Sequence, residues 1–140
     1  MILSMRILII ASLVFLTSCT VLSPKAEYIP ENEQLPNATI GQPYFFKVSI
    51  LGGRVFGGRD KKAGVVEPSD TGIAVRNCDL PASVIAPETV DPKDHNCVEV
   101  YGTPTQAGIV KIHLESGMYG SMIAPASYFS KDYKLNVLAN

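Results

Sequence analysis

Residues 43–51 read PYFFKVSIL, and this stretch indicates the fold class. Aromatic and aliphatic side chains at positions 44, 46, 48 and 50 alternate with polar side chains at positions 47 and 49. A period of two residues is typical of a β-strand that buries one face. The stretch therefore predicts a half-buried strand.

Four further segments show similar β-rich patterning: Thr71–Val75, Cys97–Tyr101, Gly108–Glu115 and Tyr133–Leu138. Glycine, proline and aspartate lie between them, in positions typical of turns. No segment has the pattern of an amphipathic helix. Several short strands separated by regular turns predict an all-β protein with an antiparallel sandwich fold.

One motif carries a family resemblance. The residues Gly102-Thr-Pro-Thr-Gln-Ala-Gly108 resemble the G-T-P-T-x-A-G signature of immunoglobulin-like, cadherin-related domains of bacterial surface proteins. Upstream, Ile40-Gly-Gln-Pro-Tyr44 is similar to the opening strand of that family, and Leu80-Pro81 stands where the family has a turn. The resemblance implies an immunoglobulin-like β-sandwich over residues 37–140. Residues 91–98 and 116–131 depart from the family pattern, the second as an insertion before the last strand.

The chain length and charge narrow the function classes. A chain of 140 residues fits one domain plus a short targeting segment. Its 12 basic and 13 acidic residues provide no broad positive field of the kind that binds a phosphate backbone. Nucleic acid is therefore not an expected partner.

The N-terminus has the layout of a secretory signal peptide. A basic Arg6 precedes an apolar stretch over residues 7–16, and two small polar residues follow. The apolar stretch is too short for a helix that crosses a bilayer of about 30 Å. We therefore expect residues 1–18 to be a cleaved signal peptide.

The residues Leu16-Thr-Ser-Cys19 resemble the bacterial lipobox, which directs diacylglycerol onto the cysteine thiol before cleavage. The resemblance implies that Cys19 becomes an acylated N-terminus anchored in membrane lipid. The alternative is an ordinary secretory signal with a cysteine near its cleavage site. Thr20 in place of Asp favours, by analogy with enterobacterial sorting, the outer membrane facing the periplasm. Residues 19–36 contain three prolines and no regular period, and they predict an extended tether.

Two cysteines are left after lipidation, Cys78 and Cys97. In an oxidising compartment a disulfide between them is the default expectation, with a loop closure worth roughly 3 kcal/mol. The alternatives are a redox-active pair, which normally has the C-x-x-C spacing, and a zinc site, which needs more ligands.

Histidine offers little catalytic potential in this sequence. His95 lies in a polar segment where a general base or a metal ligand could sit, and Asp91, Asp94 and Asn96 could supply oxygens to calcium. A solvated turn is the alternative. His113 falls on the outward face of a predicted strand. Motifs such as G-x-S-x-G and H-E-x-x-H do not occur, so we expect no catalytic residues, metal or cofactor.

Two loops are candidate contact surfaces. The stretch 52–64 is rich in glycine and carries the basic residues Arg54, Arg59, Lys61 and Lys62. It is either a flexible hairpin tip or a contact loop for an acidic partner. The stretch 116–125 contains Met118, Tyr119, Met122 and Ile123 and no charged residue. It either folds back on the core or binds a partner, because methionine and tyrosine suit adaptable contacts.

These features predict a membrane-anchored, non-enzymatic binding module of the bacterial envelope, with an envelope protein or glycan as partner. One alternative is an envelope inhibitor or exclusion factor, similar in role to lysozyme inhibitors or phage-exclusion lipoproteins. Another is a metal-dependent hydrolase that uses His95.

Overall fold

The computed structural model describes residues 23–57 and 62–140. These residues form nine β-strands and a short 3-10 helix at Ala82–Val84. The strands are β1 Glu27–Ile29, β2 Ala38–Thr39, β3 Tyr44–Leu51, β4 Val55–Phe56, β5 Val65–Glu67, β6 Ile73–Asp79, β7 Lys93–Gly102, β8 Gly108–Met118 and β9 Ser127–Leu138. The predicted signal peptide and Cys19 lie outside the described residues.

The strands form two sheets. The first has the order β1-β3-β7-β6, and the second has the order β2-β9-β8, with β4 and β5 both paired to the free edge of β8. Neighbouring strands are antiparallel except β2 and β9, which are parallel. When β1 and β2 are lettered A and A′ and β4 and β5 are lettered C and C′, the other strands are B, D, E, F and G in chain order. The sheets then have the orders A-B-E-D and C-F-G, as in immunoglobulin domains, with A′ beside G. The all-β sandwich predicted from the sequence is confirmed.

The core lies between the sheets and follows the alternation of the strands. In β3 the side chains of Val48 and Ile50 are buried, whereas those of Phe45 and Leu51 are exposed. From the facing sheet, every second residue of β8 enters the same core, which explains the buried positions Val110, Ile112 and Leu114. The residues 43–51 thus behave as their pattern predicts.

The segment predicted as a tether differs from that expectation. Strand β1 pairs with β3, with Glu27 opposite Leu51. Leu35 is buried in the core, and its backbone N–H donates to the carbonyl of Lys134 at 2.9 Å. The described part of the segment therefore packs on the domain. Its pairing is too short to produce a visible period in the sequence.

The hairpin of β8 and β9 is longer than predicted. The two strands pair continuously from Gly108 opposite Val137 to Met118 opposite Ser127. Half of the segment interpreted as an insertion extends these strands, and residues 119–126 connect them.

The predicted disulfide is present between Cys78 of β6 and Cys97 of β7, with 5.4 Å between the Cα atoms. It joins neighbouring strands of one sheet. The register shifts there, from Asn77 opposite Val98 to Cys78 opposite Asp94, so residues 95–97 form a bulge in β7.

Candidate partner-binding surface

Three connections lie at one end of the sandwich, which we call the tip end. They are residues 52–54 between β3 and β4, residues 80–92 between β6 and β7, and residues 119–126 between β8 and β9. The registers place them together, because Asp79 lies opposite Lys93 and Val55 lies opposite Met118. The tip end therefore contains residues 52–54 of the predicted basic loop and residues 119–125 of the predicted apolar loop.

An aromatic cluster covers the outer face of the second sheet at the tip end. The ring of Phe56 lies 5.0 Å from that of Tyr119 and 5.9 Å from that of Tyr128, both edge to face. The guanidinium of Arg54 lies over Tyr119, 5.7 Å from the ring centroid. Such contacts are favourable electrostatically and hold the rings in place.

A glycine makes room for this aromatic cluster. Gly117 lies between Phe56 on one neighbouring strand and Tyr128 on the other. A Cβ atom on Gly117 would lie 2.1 Å from Cζ of Phe56, so the Phe56 ring covers the glycine backbone. The hydroxyl of Ser116 donates to the backbone carbonyl of Phe56 at 2.6 Å and fixes β4 at this edge.

The apolar loop divides between core and surface. Met118 is completely buried in the core, so the expectation that it belongs to an exposed contact loop is corrected. It is the last residue of β8, and strand alternation turns it inward. Met122 is fully exposed, Tyr119 and Ile123 are 55% and 73% exposed, and Tyr128 adds a residue that is 80% exposed. Three of the four predicted contact residues therefore lie at the surface.

The two described basic residues of the stretch 52–64, Arg54 and Lys62, lie apart from each other. Arg54 belongs to the aromatic cluster, and its carbonyl accepts the backbone N–H of Tyr119 at 2.9 Å. Lys62 instead lines a cleft with His95 and Asn77 on another side of the tip end. Arg59 and Lys61 lie outside the described residues. The structure thus joins one of the four basic residues to the apolar loop.

Sequence reasoning missed Phe56 and Tyr128. Neither residue lies in a segment that was predicted to be a strand. Gly117 was the one available signal, because a glycine on the outward face of a strand leaves room for a neighbouring ring. Which ring fills that room depends on the register of β4, β8 and β9.

His95 lies in the β7 bulge and not in a solvated loop. Its Nε2 is 2.7 Å from a carboxylate oxygen of Asp91, and its Nδ1 is 3.1 Å from the amide oxygen of Asn77. Among the residues that the structure describes, no group of three or more His, Cys, Asp or Glu side chains is placed to hold a metal ion.

Asn96, considered above as a calcium ligand, connects the two sheets. Its side-chain amide donates to the carbonyls of Ile50 at 2.8 Å and Gly53 at 2.7 Å. Its side-chain oxygen accepts the backbone N–H of Val55 at 3.0 Å. These three bonds use both N–H donors and one acceptor site of the amide, and they fix the connection that carries Arg54.

The outer face of the second sheet carries charged side chains in the middle of the β8–β9 hairpin. His113 lies between two carboxylates, with Nδ1 bonded to Asp132 and Nε2 3.6 Å from Glu115. The hydrogen bond that His113 donates to Asp132 is the main reason why the pKa of His113 is raised above its usual value, and Glu115 adds to the effect. Its outward position agrees with the sequence prediction.

Comparison with known protein families, with curated proteins and with solved structures found no match to this chain. The described residues contain no helix that is long and apolar enough to span a membrane.

Proposed function

We propose that this protein is a lipid-anchored, non-enzymatic binding module of the bacterial cell envelope, held by acylated Cys19 in the outer membrane and facing the periplasm. Its contact surface is formed by Tyr119, Met122, Ile123 and Tyr128 with Arg54 beside them. The observation that carries this proposal is the exposure of these apolar side chains on an ordered hairpin.

The composition of the surface supports binding. Tyrosine, methionine and arginine are enriched at interfaces, because they offer large contact areas and polar groups on one side chain. Met122 and Ile123 contribute little to the stability of the fold, because most or all of their surface is exposed to solvent. A partner that covers them would remove apolar surface from water, which is the main source of association free energy.

The hairpin also holds the surface in place. Continuous pairing of β8 with β9 as far as Met118 and Ser127 supports residues 119–126 from both sides. Within the loop, the backbone N–H of Ser121 donates to the carbonyl of Ala124 at 2.8 Å. A preorganised loop loses less conformational entropy on binding than a flexible one.

Intact mass of the protein purified from the membrane fraction is the first experiment. We expect a chain that begins at Cys19, carries the mass of the acyl chains and lacks two hydrogens because of the disulfide. A chain without acyl mass contradicts the membrane anchor.

Photo-cross-linking in living cells then tests the contact surface. A photoreactive amino acid replaces Met122 in one variant and Ser130 in a matched control, since both positions are exposed and Ser130 lies on β9 beyond the aromatic cluster. We expect adducts with another envelope component at position 122 and few at position 130. Equal labelling of the two positions, or no adduct at 122, contradicts the assignment.

A further inference from the structure

Pro24 lies at the tip end, beside the proposed contact surface. The hydroxyl of Ser127 donates to the carbonyl of Pro24 at 2.5 Å. A Cβ atom on Gly53 would lie 3.4 Å from both Cβ of Pro24 and the sulfur of Met118. Pro24 is therefore packed beside the loop end of the β8–β9 hairpin.

The position of Pro24 restricts which end of the domain a lipid on Cys19 can hold near the membrane. Four residues lie between Cys19 and Pro24, and a fully extended chain spans at most about 18 Å over that interval. Strand β8 alone, at roughly 3.3 Å per residue, is about twice as long. The tip end, rather than the opposite end, is therefore kept within reach of the bilayer surface.

The types of side chain along residues 119–128 follow the change from the apolar interior of a bilayer to its polar headgroups. Residues 119–126 read YGSMIAPA and contain no charge. Exposed Met122 and Ile123 lie in the middle of this loop, and Tyr119 and Tyr128 flank it, with Arg54 over Tyr119. Apolar side chains favour the acyl region, whereas tyrosine and arginine favour the headgroup level.

We infer that the partner of this surface is the bilayer itself: residues 119–126 insert Met122 and Ile123 into the leaflet that holds the Cys19 lipid, with Tyr119 and Tyr128 at the headgroups. The inference rests on the proposed lipidation of Cys19 and names the partner of the same surface. It makes the loop a second membrane contact that orients the domain.

The distribution of exposed apolar side chains favours a membrane over a protein partner. The four most exposed large apolar residues of the described part of the chain are Met122, Val90, Tyr128 and Ile123. Three of them lie in connections of the tip end, and Tyr128 is the second residue of β9 beside them. The connection with Val90 also carries Glu88 and Asp91, so insertion is assigned to residues 119–126. A lipid anchor keeps this loop at high effective concentration near the bilayer, so a weak insertion is enough.

The chain contains no tryptophan, which allows a direct test with one introduced fluorophore. Ile123→Trp places the probe in the loop, and Ile109→Trp is the matched control at the opposite end of β8, where the side chain is 59% exposed. Both mature, acylated proteins are reconstituted into phosphatidylethanolamine and phosphatidylglycerol vesicles with or without brominated acyl chains. Thermal unfolding verifies that each variant is folded.

We expect brominated lipid to quench the Ile123→Trp emission by about twofold or more and to leave Ile109→Trp unchanged. Adding Met122→Asp to Ile123→Trp should abolish the quenching, because a carboxylate does not enter the acyl region at low cost. Absent quenching at position 123, or equal quenching at both positions, overturns the inference.

The failure of this inference is distinguishable from the failure of the proposed function. If intact mass shows an acylated protein, position 123 is not quenched, and position 122 cross-links to a protein or glycan, then the binding module stands and membrane insertion is wrong. If intact mass shows no acyl chains, then the proposed anchor is wrong and the inference falls with it.

Discussion

The outer face of the β8–β9 hairpin has two halves with different chemistry. In the middle of the hairpin, His113 lies beside Asp132 and Glu115, so charges of opposite sign meet on neighbouring strands. Toward the tip end, the same two strands present Gly117 and Tyr128, and Phe56 fills the space above the glycine. Both halves have the same backbone pairing.

The difference shows that the fold does not require the exposed apolar surface. The charged half forms regular strands with a hydrated face, so the tip half could do the same with polar side chains. Exposed apolar side chains that the fold does not need are typical of binding sites. Three sets of variants test this comparison, in order from the largest expected effect on the free energy of unfolding to the smallest.

The largest difference in stability is expected between alanine variants of the two methionines, Met118 at the end of β8 and Met122 in the loop. Met118→Ala removes a completely buried side chain and leaves a cavity, so we expect the free energy of unfolding to fall by about 2–5 kcal/mol. Met122→Ala removes an exposed side chain and should change it by less than about 0.5 kcal/mol. Denaturant unfolding of the two variants measures both values. Similar losses in both would mean that the loop packs on the core.

Replacing Gly117, which lies under the aromatic cluster, should lower the free energy of unfolding less than Met118→Ala does. Gly117→Ala places a methyl group against the Phe56 ring, and we expect a loss of about 1–3 kcal/mol because the ring must move. In a Phe56→Ala background the same substitution should cost less than about 0.5 kcal/mol, because the steric conflict is gone. Additive losses in this double-mutant cycle would contradict the covering of Gly117 by Phe56.

The charged half should show a small dependence on pH. The pKa of His113 is raised in the folded state, so its ion pair with Asp132 stabilises the protein below the unfolded value of about 6.5 and loses this effect as the pH rises through the folded pKa. Asp132→Asn should therefore destabilise the protein at pH 6 more than at pH 8.5, by roughly 0.5 kcal/mol or less, because the pair is exposed and screened.

Urea unfolding at the two pH values measures the dependence, and the control is His113→Gln. In that variant Asp132→Asn should have the same effect at both pH values. A pH dependence that persists without His113 would assign the effect to another group.

Much of the fold was predictable from local patterns. The alternation in residues 43–51 and 108–115 identified β3 and the first part of β8, and the cysteine pair predicted the disulfide. The packing of Leu35 and the short strand β1 were not predictable, because their partners lie far along the chain in β9 and β3. His95 was placed in a loop because a bulge interrupts the period of its strand.

The contact surface was predictable in part. Composition identified residues 116–125, but it did not separate buried Met118 from exposed Met122, because that separation depends on where β8 ends. Tyr128 and Phe56 become neighbours of Tyr119 through cross-strand pairing, which carries no signal in the local sequence.

The amino-acid sequence alone predicts an all-β domain, a disulfide and a lipidation motif, because strand periodicity, cysteine chemistry and targeting signals are local properties of a chain. The position of Pro24 beside the β8–β9 hairpin, and with it the side of the domain nearest to Cys19, comes from the three-dimensional fold. Contacts between residues about one hundred positions apart, such as Ser127 with Pro24, depend on the register of whole sheets.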